Sequence, residues 1–223
     1  MAEVKLEYNN DYHQSKFGSI IKDRFLYDLK CRNAQDYFPD FTSKRWLLNK
    51  VLDYGCGVGQ NIANFPNKYA YDINIELYPF LKEEGFVCYE KEKDIPNDFF
   101  DDILISQVLE HLDNPMETLK MLHKKLKKGG TIRVVVPHMS YEIPKDINSH
   151  NTDGHLQNWS FIELNYLLNR CGFNVIYNKQ IYVRGVERFS WVAKYSYWLY
   201  RFLTTGFGQM VNEFDVFVIA EKK

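Results

Sequence analysis

The chain has 223 residues, of which 45% are hydrophobic, and this size and composition fit one α/β domain with a full core. Its formal net charge of −1 excludes an overall basic field that would attract nucleic acid. The 4 cysteines form no C-x-x-C pair, which argues against a zinc finger or a disulfide framework and indicates a reducing compartment.

The start of the chain favours a cytoplasmic protein with a helical N-terminal region. The stretch MAEVKLEYNND is polar and contains no signal peptide, and no apolar run in the sequence is long enough to span a bilayer. Residues 1–48 read as an irregular start followed by helical segments, because KFGSIIKDRFLYDLK places its apolar residues near helical spacing.

From Val51 onward, strands alternate with helices. Helices are predicted near Gly59 and over the segments IELYPFLKEEG, PMETLKMLHKKLKKGG and WSFIELNYLLNRCGF, with an aromatic helical stretch later in the chain. The predicted strands are VLDYG, KYAYDI, FVCYE, DDILIS, TIRVVVP, NVIYNKQIYV and FDVFVIAEKK. This alternation predicts an α/β fold with a doubly wound parallel sheet. The direction of the last strand stays open, since a long insertion precedes it.

A glycine-rich turn follows the first strand, at the edge where open α/β sheets bind ligands. Gly55, Gly57 and Gly59 permit positive φ and close approach of a ligand to the backbone. Asp53 would repel a dinucleotide pyrophosphate, and Gln60 stands where the pattern G-x-G-x-x-G needs glycine, so both residues argue against a nicotinamide-dependent oxidoreductase.

A second acid follows the second strand. Asp72 lies 72 − 53 = 19 residues after Asp53, a distance at which an acid commonly binds a ribose diol. A ligand with a ribose and positive charge, but without phosphates, describes S-adenosylmethionine.

Four segments resemble the class I S-adenosylmethionine-dependent methyltransferases over about residues 48–177: VLDYGCGVGQ, YDIN, DDILISQVLEHLDNP and LKKGGTIRVVVPH. The resemblance implies a Rossmann-like, mostly parallel sheet of seven strands with an antiparallel last strand and helices on both faces. It also implies S-adenosylmethionine as cofactor and S-adenosylhomocysteine as product. We expect a single domain over residues 1–223, made of an N-terminal helical lid (1–48), a cofactor-binding core (49–183), an aromatic helical insertion (184–212) and the last strand (213–223).

The resemblance also implies roles for individual residues. The loop around the methionine moiety corresponds to Asp53, Gly55, Cys56 and Gly57, and the ribose acid corresponds to Asp72. The adenine contacts correspond to Ile73, Asp94 and Ile95, and Gln107 corresponds to a position that lines the cofactor pocket. The chain reads YEKEKDIP where many relatives have an acid followed by a small residue. The residue after the third strand that contacts the adenine could therefore lie a few positions from Asp94 and Ile95.

The segment SHNTDGHLQNW supplies the candidate catalytic residues. His155 is the first candidate for a general base and Asp153 the second, because the segment follows the fifth strand at the ligand-binding edge. Equally, His155 could cap the helix, or the loop could simply pack under Trp159. The spacing of His150, Asp153 and His155 fits no metal motif, so we expect no metal. Glu110 is expected to hold its loop by hydrogen bonds, and His111 either does the same or faces the site.

The acceptor is expected to be a small molecule, a sugar or a lipid-linked compound, methylated on oxygen or nitrogen, whereas nucleic acid is not expected. Tyr12 and His13 could belong to the lid. The aromatic stretch RFSWVAKYSYWLYRFLTTGF could lie on a membrane surface, form a dimer contact, line the acceptor pocket or simply pack on the sheet, so the protein is expected to be a monomer or a homodimer. The alternative function is a non-catalytic S-adenosylmethionine-binding protein that acts through its aromatic surface.

Overall fold

The computed structural model describes residues 20–138 and 155–223. Tyr12, His13, His150 and Asp153 lie outside these ranges. The strands are β1 (Val51–Tyr54), β2 (Lys68–Tyr71), β3 (Val87–Cys88), β4 (Phe100–Ser106), β5 (Leu126–Pro137), β6 (Phe173–Ile181) and β7 (Asp215–Lys222). The α-helices are α1 (Arg24–Asn33), α2 (Ser43–Leu48), α3 (Tyr78–Glu83), α4 (Pro115–Lys125), α5 (Phe161–Arg170), α6 (Val186–Ala193) and α7 (Tyr197–Met210).

The seven strands form one sheet in the order β3-β2-β1-β4-β5-β7-β6. Strands β1 to β5 pair in parallel, and β7 is inserted antiparallel between β5 and β6. The interior strand β1 is buried along its whole length, Asp53 included, because it lies between the two parallel neighbours β2 and β4. The predicted Rossmann-like sheet and its antiparallel last strand are confirmed.

Side-chain signals in the sequence fix the ends of two core helices. Asn114 caps α4 by accepting from the Glu117 amide at 3.3 Å, and Pro115 occupies the first turn, where its missing N–H costs nothing. This helix ends at Lys125, earlier than the predicted end at Gly129, because the chain from Leu126 already pairs with β4. Ser160 and Glu163 form a reciprocal capping box at the start of α5.

The helix predicted near Gly59 is wrong. Residues 56–65 form successive turns, in which Gly59, Ile62 and Phe65 each donate a backbone hydrogen bond to the residue three positions earlier. Gly57 and Gly59 have φ values of 53° and 71°, which a right-handed helix does not admit, and Pro66 follows directly. The first crossover therefore consists of turns rather than an α-helix.

The N-terminal and late helices pack on each other beside the sheet. Leu29 of α1, Val192 of α6 and Tyr200 of α7 form one buried cluster, and Arg201 pairs with Asp36. Packing of the aromatic stretch is thus partial, because Trp191 and Trp198 remain 61% and 76% exposed. In residues 20–138 and 155–223, no helix has the length and hydrophobicity to cross a membrane. The division of the chain into lid, core, insertion and last strand stays a prediction.

Candidate active site

A cavity of about 670 Å³ opens at the carboxyl ends of the parallel strands. Its volume lies in the range that holds an organic ligand of cofactor size. Six of the residues that the sequence assigned to the cofactor line its wall: Gly55, Cys56, Gly57, Asp72, Ile73 and Gln107. The fold therefore brings the ends of β1, β2 and β4 together around one space.

The turn after β1 requires glycine for steric reasons. Gly55 has a φ of 75°, and a Cβ at this position would lie 2.3 Å from Cγ2 of Val108. Its amide donates to the carbonyl of Tyr71 at 2.8 Å, and the Cys56 amide reaches the same oxygen at 3.2 Å. The turn is thus closed onto the end of β2, and its backbone forms part of the cavity wall.

Asp72 is held rigidly on that wall. Its Oδ2 accepts from the Gly57 amide at 2.7 Å, and its Oδ1 accepts from the Asn74 amide at 2.9 Å. The Tyr78 hydroxyl fixes the backbone of Asp72, since it donates to the Asp72 carbonyl at 2.9 Å. Each carboxylate oxygen keeps further acceptor capacity, so a ribose diol could donate to this group without displacing a protein contact.

Asp53 is not among the described residues that line the cavity, although its neighbours Tyr54 and Gly55 are. The residue is fully buried, and neither carboxylate oxygen accepts a hydrogen bond of good geometry from the described residues, although the Asn61 side chain lies near the carboxylate. Burial raises the pKa of Asp53 to about 8; the Asn61 side chain opposes this rise and the charge of Asp72 adds to it. A buried carboxylate without a donor is costly, and a ligand cation above it would remove that cost.

Gln107 adopts a left-handed backbone conformation, with a φ of 57°, directly after β4. Its amide donates to the Val135 carbonyl at 2.8 Å, which ties the turn to β5. Strained non-glycine residues of this kind cluster at ligand sites. Gln107 thus lines the cavity beside the glycine turn, since its neighbour Val108 lies against Gly55.

Asp94 and Ile95, the two expected adenine contacts after β3, are not among the described residues that line the cavity. Asp94 is exposed at the end of a short 3₁₀ turn, and Ile95 is buried in the apolar core. Tyr54 and Tyr71 line the wall instead, with their rings stacked at 5.0 Å. Sequence reasoning missed this pair, because tyrosines at strand ends are common and only the parallel register of β1 and β2 brings them together.

Another part of the cavity wall carries an ion pair that the sequence did not reveal. Arg184 donates to Asp215 at 3.0 Å, and both residues line the cavity together with Tyr37. Burial tends to lower the pKa of Arg184, but the nearby Asp215 and Glu213 carboxylates hold it above its ordinary value. Tyr37, Arg184 and Asp215 come from three distant parts of the chain, and no local motif joins them.

His155, the first candidate base, does not itself line the cavity but contacts a residue that does. Its imidazole contacts that of His111, with ring centroids 4.8 Å apart, and His111 itself lines the cavity. The Leu156 and Gln157 amides donate to the Glu110 carbonyl at 2.7 and 3.2 Å, so the backbone of Glu110 holds the incoming segment. Asp153, the second candidate, lies outside the described residues.

Comparisons with known proteins agree with this geometry. The family described as a methyltransferase domain matches residues 23–178, which is more than half of the chain. An uncharacterised protein of Methanocaldococcus jannaschii is 33% identical over 84 residues, which cover 36% of this chain and 41% of that protein. The matched segment thus spans less than half the length of this relative.

Solved structures share the fold. A SAM-dependent methyltransferase from Archaeoglobus fulgidus is 21% identical, with a TM-score of 0.58, and the match covers 88% of this chain and 94% of that one. Phosphoethanolamine N-methyltransferase 2 from Haemonchus contortus, solved with phosphomonomethylethanolamine and S-adenosylhomocysteine, is 14% identical with a TM-score of 0.61. That match covers 94% of this chain and 59% of the nematode protein. At these identities the likeness shows the fold alone.

Proposed function

The chain belongs to the methyltransferase domain family, and we propose that it transfers a methyl group from S-adenosylmethionine to an oxygen or nitrogen of a small-molecule, sugar-containing or lipid-linked acceptor. One observation carries the proposal: the fully buried carboxylate of Asp53 accepts no hydrogen bond of good geometry from the described residues, although it directly precedes the glycine turn and feels the charge of the rigidly held Asp72. A cationic nucleoside satisfies both groups.

Different residues of the cavity wall bind different parts of the cofactor. When bound, the cofactor supplies an electrophilic methyl group on its sulfonium. Asp72 accepts from the ribose hydroxyls, and Ile73, which is 74% exposed, offers an apolar face to the adenine. Gly55, Cys56 and Gly57 leave the backbone accessible to the methionine part, whose ammonium offsets the charge of Asp53. The assignment of Asp94 and Ile95 to the adenine has no support from their positions.

The protein's contribution to the reaction is alignment. Holding an acceptor in line with the methyl group lowers the barrier by up to about 7–11 kcal/mol, and closing the cavity excludes water as a competing acceptor. An acceptor hydroxyl must also lose its proton, and His155 and Asp153 are the sequence-based candidates for the general base that accepts it. His155 stands behind His111, so His111 is the imidazole that meets the cavity.

The part of the cavity wall that contains Arg184 and Asp215 favours a hydroxylated acceptor. Arg184, Asp215 and Tyr37 present donors and acceptors there, and Ile20 and Lys30 from the N-terminal region complete the wall. Such a mixture of fixed polar groups and an aromatic ring suits a sugar-like ring, whose hydroxyls need partners and whose faces stack on aromatics. A sugar-containing acceptor is the member of the class that this wall supports best.

An exposed aromatic surface on α6 and α7 supports a lipid-linked form of that acceptor. Four aromatic side chains are more than 60% exposed: Trp191, Tyr195, Trp198 and Phe202. They follow Arg184, which lines the cavity, by fewer than 20 residues. Large exposed apolar groups of this kind mark contacts with partners or membranes. A pair of sugar acceptors, with and without a lipid tail, separates this form from a free sugar: a lower KM for the lipid-linked member is expected.

Calorimetric titration with S-adenosylmethionine and S-adenosylhomocysteine tests the cofactor site. We expect both ligands to bind, and Asp72→Ala to weaken binding by about 10- to 100-fold, because hydrogen bonds to a charged group contribute about 1.5–3 kcal/mol. Asp28→Ala, at an exposed position on α1, is the matched control and should bind normally. An unchanged dissociation constant for Asp72→Ala would remove Asp72 from the ribose site.

A screen for methyl transfer separates the enzyme from a non-catalytic binder. Radiolabelled S-adenosylmethionine is incubated with the protein and candidate sugar and lipid-linked acceptors, and transfer that Asp72→Ala loses supports the enzyme. Tight cofactor binding without transfer to any acceptor of this class would favour the non-catalytic alternative.

A further inference from the structure

Three side chains with metal-binding atoms meet at the edge of the cavity. One ligand atom from each of Glu110, His111 and His155 lies within 4.8 Å of the other two. His111 Nε2 is 3.8 Å from Glu110 Oε1, and Glu110 is fully buried. The sequence separates His155 from the other two, so only the fold reveals the group.

The backbone fixes this arrangement. Glu110 and His111 end the 3₁₀ turn Leu109–His111, which begins two residues after Gln107. Two amides, of Leu156 and Gln157, donate to the Glu110 carbonyl, and the Gln157 side chain donates to the Leu112 carbonyl at 3.1 Å. Three hydrogen bonds therefore hold the segment that carries His155 against the turn that carries the other two side chains.

We propose that Glu110, His111 and His155 bind a divalent transition-metal ion of the zinc type. Two imidazoles and one carboxylate form a ligand set that zinc sites use when one coordination position stays open for water or substrate. Bonds of about 2.0–2.2 Å place tetrahedral ligand atoms about 3.3 Å apart, so small side-chain rotations would bring the present atoms into position. Because this set is rich in nitrogen, it selects against magnesium and calcium, which prefer oxygen ligands.

The position of the cluster connects the ion to the acceptor. His111 lines the cavity, and its neighbours Leu112 and Asp113 do so as well, so the cluster forms the cavity's edge. The buried Glu110 would lie on the protein side of an ion at that edge. The open coordination position would then face the space where an acceptor binds.

The role of the ion, unlike its binding, rests on the proposed function. An acceptor hydroxyl on the ion would lose its proton to solvent water more readily, because the cation stabilises the oxyanion. The oxygen would then form the O–CH₃ bond while the S–CH₃ bond breaks and S-adenosylhomocysteine leaves, with no change in the oxidation state of the metal. His155 would act as a ligand in this reaction, in place of the base that the sequence suggested.

Metal titration of the full chain tests the site. The purified protein is stripped with a chelator and titrated with Zn²⁺ by calorimetry and with Co²⁺ by visible absorption. We expect one ion per chain and Co²⁺ ligand-field bands. His155→Ala and His111→Ala should each weaken binding by more than about 100-fold, since loss of a direct ligand exceeds the 10- to 100-fold cost of losing an outer partner.

His123→Ala is the matched control, because it removes a histidine that packs on Phe173 of the core. It should bind Zn²⁺ as the wild type does. Circular dichroism checks that each variant is folded, and His155→Asn replaces His155→Ala if the latter is not. A wild type that binds neither ion, or a folded His155 variant that binds Zn²⁺ with wild-type affinity, overturns the proposal.

A parallel titration with S-adenosylhomocysteine keeps the two proposals apart. If the metal-free protein binds this ligand but no metal, the metal site fails and the proposed function stands. If the protein binds Zn²⁺ through His155 but not S-adenosylhomocysteine, the metal site stands and the proposed function fails. Where both bind, methyl transfer that the chelator abolishes and Zn²⁺ restores supports the role of the ion; transfer unaffected by the chelator contradicts it.

Discussion

Two fully buried aspartates on neighbouring strands, Asp53 of β1 and Asp102 of β4, have opposite surroundings. Asp102 accepts from Arg133 at 3.1 Å, from Arg45 at 3.2 Å, from Asn49 at 2.7 Å and also from Thr131. Among the described residues, neither oxygen of Asp53 accepts a hydrogen bond of good geometry, and the Asn61 side chain is the neighbour that lowers its pKa. Burial alone therefore does not distinguish a structural carboxylate from a functional one.

The register of the sheet explains the difference. Asp102 pairs with Val51, two residues nearer the amino edge than Asp53, so the arginines from β5 and the N-terminal region reach it. Arg133 also donates to Asp40 and to the Tyr37 carbonyl, and it thereby ties the N-terminal segment to the sheet. Asp53 lies near the carboxyl end of β1, two residues before the glycine turn that lines the cavity. We infer that its partner is the ligand.

Removing the carboxylate of Asp102 should have the largest effect on stability. Asp102→Ala leaves the buried guanidinium of Arg133 with Asp40 as its remaining carboxylate partner, and breaking a buried pair in this way costs about 3–5 kcal/mol. Urea unfolding measures the change. Asp28→Ala, which removes an exposed ion pair with Arg24, is the control and should cost less than about 0.5 kcal/mol. Equal losses in the two variants would contradict a structural role for Asp102.

A pair of glycine substitutions tests the glycine turn. Gly55→Ala forces a Cβ to within 2.3 Å of Val108 at a φ of 75°, so it should lower the free energy of unfolding by about 1–3 kcal/mol and abolish S-adenosylhomocysteine binding. Gly206→Ala is the matched control, because Gly206 is exposed within α7 and its Cβ would meet nothing within 4 Å.

Gly206→Ala should raise the free energy of unfolding by about 1 kcal/mol, since alanine favours helix, and should leave binding unchanged. Urea unfolding and calorimetry measure both variants. Normal ligand binding by Gly55→Ala would show that the turn is not part of the site.

The pH dependence of stability tests the isolation of Asp53. With a folded pKa of about 8 and an ordinary value of 3.8, the folded protein keeps a proton that the unfolded chain loses. The unfolded state therefore binds fewer protons between about pH 4 and pH 8, and the stability of the ligand-free protein falls as pH rises through this window.

Asp53→Asn removes this titration. At pH 8.5 the ligand-free variant should be more stable than the wild type by about 1–3 kcal/mol, because the wild type alone buries a charge there. At pH 5 the difference should be small. Urea unfolding at both pH values gives the comparison, and a variant that is less stable than the wild type at pH 8.5 would show that Asp53 has a structural partner.

Local patterns predicted the sheet and the glycine turn because both depend on short-range signals. The strand and helix alternation gave the sheet, and the spacing of Gly55, Gly57 and Asp72 indicated the site. The partners of Arg133 are distant from it in sequence, and so are His155 and His111 from each other. Hydrophobic periodicity therefore cannot predict these contacts. The helix predicted near Gly59 failed because the glycines that open the ligand site also prevent helical φ values.

Proton-linked calorimetry of S-adenosylhomocysteine binding tests the central claim most directly. The wild type and Asp53→Asn are titrated at pH 7 in buffers of different ionisation enthalpy. We predict that the wild type releases close to one proton more than the variant, since the ligand's ammonium favours ionised Asp53, and that it binds at least tenfold more tightly. Equal affinity and equal proton release in the two proteins would show that Asp53 does not meet the ligand's charge.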